Sequence, residues 1–362
     1  MVPREEAGAR VTIRLGRPDT GAEEAAAVAA VLESGDLTMG PKVQEFEGLL
    51  AEACGVPHAV AVSSGTAALH LAVLALGLGE GDEVLVPAYT FPATANVVAL
   101  AGARPVLVDV DPATMNLDPE RTRAAVTERT RAVLAVHLFG RPVDWSSLPE
   151  GIEAIEDAAG ALGARWQGTP CGGLGVMGCL SFHPRKIVTT GEGGAVTTAR
   201  EDLADSVRRL RHHGIAPHGE FDIAQPGFNY RLPDVLCAVG IPQLHRLSEL
   251  HASRAAVAAG YEDRLRDLVE TPTANGGDTH GWQAYVVQLD RRDEVLAALR
   301  AADIQAQIGT YALHLLAAYR DQGAFPGAAR CFERALALPF HTQLSESDLD
   351  RVAEVVTGVV RG

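Results

Sequence analysis

The chain is nearly without lysine. Lysine and arginine together number 31 in 362 residues, and Lys42 and Lys186 are its only lysines. A guanidinium keeps its proton near neutral pH and cannot form a Schiff base, whereas a lysine amine can do both jobs. A sequence that otherwise relies on arginine for positive charge but retains Lys186 marks that position for chemistry. Cysteine is also sparse: Cys54, Cys171, Cys179, Cys237 and Cys331 are odd in number and form no C-x-x-C pair. This argues against a disulfide framework or a cysteine-rich zinc site, so no metal is expected and the thiols are expected to be buried in a reducing compartment. No uninterrupted apolar run reaches the ~18 residues of a membrane-spanning helix. The opening MVPREEAGARVTIRLG has no apolar core of signal-peptide length, so a cytoplasmic protein without a membrane partner is expected. Net positive charge is lacking too. At −15, the chain does not offer the clustered Lys/Arg that a nucleic-acid surface needs, and an anionic ligand must be met by local donors. There is no G-x-x-x-x-G-K-[ST] loop, internal repeat or low-complexity tail.

What is present is a hydrophobic content of 47% over a length that suits two domains better than one. Residues 1 to 20 read as an irregular arm. Helices are expected over Ala22 to Ser34 and Val43 to Cys54. Strands and helices then alternate from His58 to Ile155, through strands at 58–62, 83–86, 105–110, 131–137 and 152–155. These strands are mostly apolar throughout, the mark of a parallel sheet covered on both faces. The pattern therefore predicts an α/β layered domain over 21–245. Beyond that, a long helix from Leu247, a strand at 284–289, a helix at 293–302 and a closing helix over 346–360, with Ser345 as N-cap, predict a smaller α+β domain over 246–362.

Four motifs bear on chemistry. Ser63-Ser-Gly-Thr-Ala67 joins a strand to a helix. Gly65 allows close approach, and the free N–H groups with the Thr66 hydroxyl would cradle a phosphate; an ordinary N-cap is the competing reading. Glu156-Asp157 ends a parallel strand, where side chains enter the usual ligand crevice of an α/β sheet; a helix cap or surface pair is the alternative. Lys186 follows the apolar run Val176 to Phe182 and precedes Gly191-Glu-Gly-Gly194. Gly173-Leu-Gly-Val-Met-Gly178 matches G-x-G-x-x-G, but a loop precedes it and a strand follows, so it is not read as a dinucleotide fingerprint. His212, His213 and His218 lie after an arginine-rich helix end. They read as partners of the helix C-terminus or as a loop near substrate, rather than as metal ligands.

A phosphate cradle, a strand-end carboxylate and a lysine after a later strand are the parts that hold pyridoxal 5'-phosphate (PLP). The amine takes the aldehyde, and the carboxylate keeps the ring nitrogen protonated. The chain resembles, from about residue 13 to 358, the DegT/StrS-type sugar aminotransferases, which are fold-type I PLP enzymes. The resemblance rests on Ser34–Gly40, Ser63–His70, Gly81–Phe91, Glu156–Ala159, Ser181–Lys186, Thr190–Gly194 and Gly227–Arg231. It implies a mostly parallel seven-stranded sheet with a smaller C-terminal α+β domain. It also implies Lys186 as the Schiff-base lysine and proton shuttle, Asp157 at the ring nitrogen, and Phe91 stacked on the ring. Gly65, Thr66, Ala67 and Ser181 would lie at the phosphate, and Asn229 would reach the neighbouring subunit's phosphate in an obligatory homodimer with shared active sites. Tyr230, Arg231 and His314 are candidate substrate contacts. The family's Gln or His three residues after the aspartate is Gly160 here. The implied reaction moves an amino group from glutamate or glutamine to a keto-sugar, with a nucleotide-linked keto-deoxysugar as acceptor. A cyclitol ketone acceptor, a fold-type I lyase and a PLP-binding regulator without turnover are the rival readings.

Overall fold

The computed structural model describes residues 12–215, 222–223, 225–274 and 276–362. His218 and residues 1–11 of the expected arm lie outside the described residues. Seven strands form the main sheet: β1 (His58–Val62), β2 (Glu83–Pro87), β3 (Arg104–Val108), β4 (Thr130–Val136), β5 (Glu153–Asp157), β6 (Met177–Ser181) and β7 (Gly194–Thr198). Their order is β1-β7-β6-β5-β4-β2-β3. Only β7 runs against its neighbours, pairing antiparallel with β1 and β6. The remaining contacts are parallel.

Strand alternation divides the core into two layers. Val60 and Val62 of β1 join one cluster with Val84, Val86, Leu134, Ile155, Met177 and Val196, under α3 (Gly65–Ala75), α4 (Ala93–Leu100) and α6 (Glu201–Arg211). Ala59 and Ala61 point the other way, toward Phe46 and Leu50 of α2 (Pro41–Cys54) and Cys237 and Ile241 of α7 (Asp234–His245). Covering both faces is what lets β2 and β4 be apolar at successive positions.

After α7 the helix α8 (Leu247–Leu265) carries Leu250 into that second cluster. Its Val257, Tyr261 and Leu265 belong to a separate cluster. That cluster covers a three-stranded antiparallel sheet of order 285–288, 335–338, 307–308, backed by helices Arg292–Ala301 and Glu346–Arg361. Ser345 caps the last helix, its Oγ accepting the Asp348 N–H at 3.2 Å. The segment from residue 12 to 20 is tied to this sheet: Ile13 donates to Asp303 O and accepts from Gln305 N, and Leu15 O accepts from Phe340 N. The described part of the expected arm is therefore a strap with its own backbone bonds.

As an outer strand, β1 has an edge that no strand of the main sheet covers. Glu47 of α2 accepts the Ala61 N–H at 2.8 Å, and Arg211 of α6 donates to Ala61 O at 2.7 Å and to Glu47. Both side chains are largely buried, and the ion pair covers the sheet edge at Ala61. Replacing Arg211 by alanine leaves the Glu47 carboxylate and the Ala61 carbonyl without their partner. The expected loss is about 3–5 kcal/mol of folding stability, measured as a lower urea midpoint at unchanged slope.

Candidate active site

Because β1, β2, β5 and β6 point the same way, their C-terminal ends share one edge of the sheet, and the N-terminal end of the opposed β7 meets them there. Gly194 pairs with Val62 on one side and Ser181 on the other. Asp157 pairs with Val136 and Cys179. The motifs at 63–67, 157, 181–186 and 191–194, far apart in the chain, are thereby brought together.

The helix start at this edge is crowded in a way that requires glycine. A Cβ on Gly65 would come within 2.7 Å of Ser181 Cβ, and one on Gly194 within 2.4 Å of the Ser64 carbonyl. Ser64 caps α3 by accepting the Ala67 N–H at 3.0 Å. The Ala67 donor is thus committed within the chain. The donors that face outward are the first N–H groups of the helix, at Gly65 and Thr66, with the exposed Thr66 side chain and the half-buried Ser181 beside them. This is an anion cradle at the positive end of a helix. The strip Gly227–Arg231 runs along it: Tyr230 O accepts the Ser63 N–H at 2.8 Å, and Arg231 bridges Val62. Arg231 donates to His212 Nδ1 at 2.6 Å, so that ring nitrogen carries no proton, and burial and Arg231 together push its pKa down. His212 is thereby engaged by Arg231. Asn229 is exposed on the same strip, and Tyr230 stacks on Phe228 at 4.7 Å.

The two carboxylates that end β5 leave the strand on opposite faces. Glu156 is fully buried, and both of its oxygens are filled. Oε2 accepts Gly172 N at 2.6 Å and faces His137 Nε2 at 3.0 Å, while Oε1 accepts Leu174 N at 2.7 Å and Gly175 N at 2.8 Å. His137 Nδ1 accepts the Val143 N–H, which puts that ring's proton on Nε2, donated to Glu156. The G-x-G-x-x-G stretch is therefore a nest for an internal carboxylate. His137, Glu156 and Cys171 come within 4.8 Å of one another, with both Glu156 oxygens and His137 Nδ1 already accepting hydrogen bonds.

Asp157 has the opposite environment. It is buried, with Oδ2 accepting the Thr94 hydroxyl at 2.8 Å and Oδ1 the Ala159 N–H at 3.2 Å. Burial pushes its carboxyl pKa up, opposed by these two bonds and by the positive charge of Lys186. Lys186, on the turn after β6, has its amine pushed down to about 8 by burial, with Asp157 opposing the shift and Arg185 and Arg254 adding to it. A buried carboxylate that needs a cation, an amine that is easily deprotonated and an anion cradle fit the ring nitrogen, aldehyde and phosphate of PLP.

Phe91 stands 60% exposed at this edge, its ring edge-on to Tyr311 at 6.2 Å, as an open aromatic platform. His314 packs on Phe325 at 5.2 Å with a buried, unpartnered Nδ1. Two residues escaped sequence reading. Thr94, which orients Asp157, could have been suspected from its place one turn after Phe91. Gln283 fills the space beside Gly160: a Cβ at 160 would lie 3.3 Å from its Cβ and Cγ. Nothing local in the sequence pairs those two positions. A groove of about 450 Å³ lies elsewhere, lined by Arg266, Glu270, Asp290 and Arg334, and its Arg334 is paired with Glu270 and Asp290 at 2.8 Å each.

The chain matches the model of the DegT/DnrJ/EryC1/StrS aminotransferase family over residues 18–357. It is similar to the aminotransferase TlmJ from Streptoalloteichus hindustanus, at 36% identity and TM-score 0.92 over 96% of this chain and 98% of that one. A family aminotransferase from Brucella abortus matches at 35% identity and TM-score 0.90, over 94% and 96%. Spr1654 from Streptococcus pneumoniae is a candidate sugar aminotransferase solved in a PLP form and in a PMP (pyridoxamine phosphate) form; the chain matches the PLP form at 28% identity and TM-score 0.92, over 97% and 99%. The chain belongs to the DegT/DnrJ/EryC1/StrS family and is a PLP-dependent aminotransferase.

Proposed function

We propose that the enzyme moves an amino group from glutamate or glutamine to the carbonyl carbon of a keto-sugar carried on a nucleotide, as a cytoplasmic homodimer. The observation that carries the transfer chemistry is the pairing of a low-pKa amine, Lys186, with a buried carboxylate, Asp157, at one sheet edge. Similarity to Spr1654 supports a sugar as acceptor. The division into units 21–245 and 246–362, with α8 crossing between them, belongs to the same reading.

In this reading Lys186 holds the cofactor's aldehyde, Asp157 its ring nitrogen, and Phe91 one ring face. Gly65, Thr66 and Ser181 hold the phosphate, and Asn229 reaches into the neighbouring copy's site. Bound PLP supplies a reversible amino carrier and a ring that accepts the electron pair of the carbon being deprotonated. The chain's own work is to orient and to move protons. Thr94 and the Ala159 N–H keep the Asp157 carboxylate aimed and favour its ionised form against the effect of burial. Lys186 Nζ, once displaced by the donor, removes the proton from the carbon bearing the donor's amino group. In the second half-reaction it returns a proton to the acceptor's former carbonyl carbon. In the same reading Tyr230, Arg231 and His314 would contact substrate, and Arg231 would neutralise a donor carboxylate or an acceptor phosphate.

Three measurements test this reading. With the protein in its PMP form, nucleotide-linked keto-sugars are expected to discharge the amine and keto-inositol to leave it intact; discharge by keto-inositol alone would move the acceptor to the cyclitols. Lys186→Arg keeps the charge without a usable nucleophile, so kcat is expected to fall by at least ~10²–10⁴-fold and borohydride to fix no cofactor at residue 186. Only the neutral amine attacks an aldehyde, and Lys186 is protonated below its pKa. The rate of PLP uptake is therefore expected to rise with pH and level off above about 8, as followed by visible absorbance.

A further inference from the structure

Arg254 is a buried cation without an anion beside it. It is 5% exposed, and no carboxylate among the described residues lies within ion-pair distance of it. Nη1 donates to the carbonyls of Trp282 at 3.0 Å and Gln283 at 3.2 Å, and Nη2 to the Lys186 carbonyl at 3.4 Å. Its guanidinium lies 5.7 Å over the Phe340 ring. The opposing charge that acts on it is Asp19, which is already bonded to Arg246 and Thr342. Burying an unneutralised guanidinium costs folding energy, and such groups concentrate where a site needs their field.

Its position gives the field a target. On α8, Arg254 falls between Leu250, in the cluster under the main sheet, and Val257, in the cluster of the smaller sheet. Gln283, whose carbonyl it holds, rests against Gly160, three residues past Asp157. One side chain thus joins the turn that bears the amine to the segment packed beside the Asp157 turn. We propose that Arg254 is a positioning residue for Lys186, locking that main chain against Trp282 and Gln283 and setting a fixed positive charge behind the amine.

The charges that face Lys186 are Asp157 from β5, Arg185 from its own turn and Arg254 from α8, with His183 adjacent. Asp157 favours the ammonium, and the two guanidiniums favour the neutral amine. Arg185 is exposed and screened by water, whereas Arg254 is buried and screened less. The same field reaches His251 and His341, both held below the usual histidine range by burial, with Arg254 contributing.

The inference rests on Lys186 being the reacting amine, yet it can be read without turnover. The full chain freed of cofactor, grown with lysine labelled at Cε with ¹³C, gives resonances from Lys42 and Lys186 alone, and Lys42→Arg identifies the second. Lys186 is expected to titrate near 8 in the native sequence. In Arg254→Gln its midpoint is expected to move up by about one pH unit. Arg254→Lys keeps the charge but cannot bridge the carbonyls, so its midpoint should stay and its PLP uptake slow by about tenfold or more. A native midpoint near the ordinary ~10.4, or a folded Arg254→Gln protein with an unmoved midpoint, overturns the proposal. Should Arg254→Gln not fold, undiminished PLP uptake in Arg254→Lys overturns it. Intact amino transfer with no titration response rejects this role alone. A full response with no transfer to any keto-sugar rejects the functional reading alone.

Discussion

Two adjacent carboxylates at the end of one strand set the terms for the rest of the molecule. The pleat of β5 sends Glu156 and Asp157 to opposite faces, and the fold treats them in opposite ways. Glu156 is saturated by three backbone N–H groups and a histidine, and so becomes a fixed part of the scaffold. Asp157 is buried with fewer donors and keeps a demand for positive charge. In low-dielectric surroundings that unmet demand is strong. It draws the sign of the whole site: a cation beside Asp157, and an amine nearby that gives up its proton easily.

The scaffold is arranged to keep that edge narrow. Close contacts of Gly65 with Ser181 and of Gly194 with Ser64 press a helix start against two strand ends, so the outward donors of α3 lie at the same edge as Asp157. The smaller sheet enters from the other side through α8 and the 281–283 segment, where Gln283 occupies the room left by Gly160. The 281–283 segment thus borders the site beside the main sheet, and Arg254 stands on α8 between its two clusters.

Much of this was legible in the chain. Apolar runs of strand length alternating with helical stretches identified β1 to β6 to within a few residues, and the cap at Ser345 follows from residue type. The reversed strand β7 was not read, because Gly194–Thr198 follows a glycine-rich turn and carries little pattern of its own. Ala67 was assigned to the phosphate by resemblance, but its N–H is already donated to Ser64. That bond depends on cap geometry, which spacing does not specify.

The sequence by itself determined the layered α/β class, the single lysine placed for chemistry and the acid that would oppose it, because periodicity and side-chain chemistry are local properties. Tertiary structure decided which of Glu156 and Asp157 stays available, what the G-x-G-x-x-G stretch embraces, what stands in for a side chain at 160 and where Arg254 spends its hydrogen bonds. These depend on the partners that residues far apart in the chain meet across the folded core, and on how deeply each charge is buried. Neither is set until the sheets have packed.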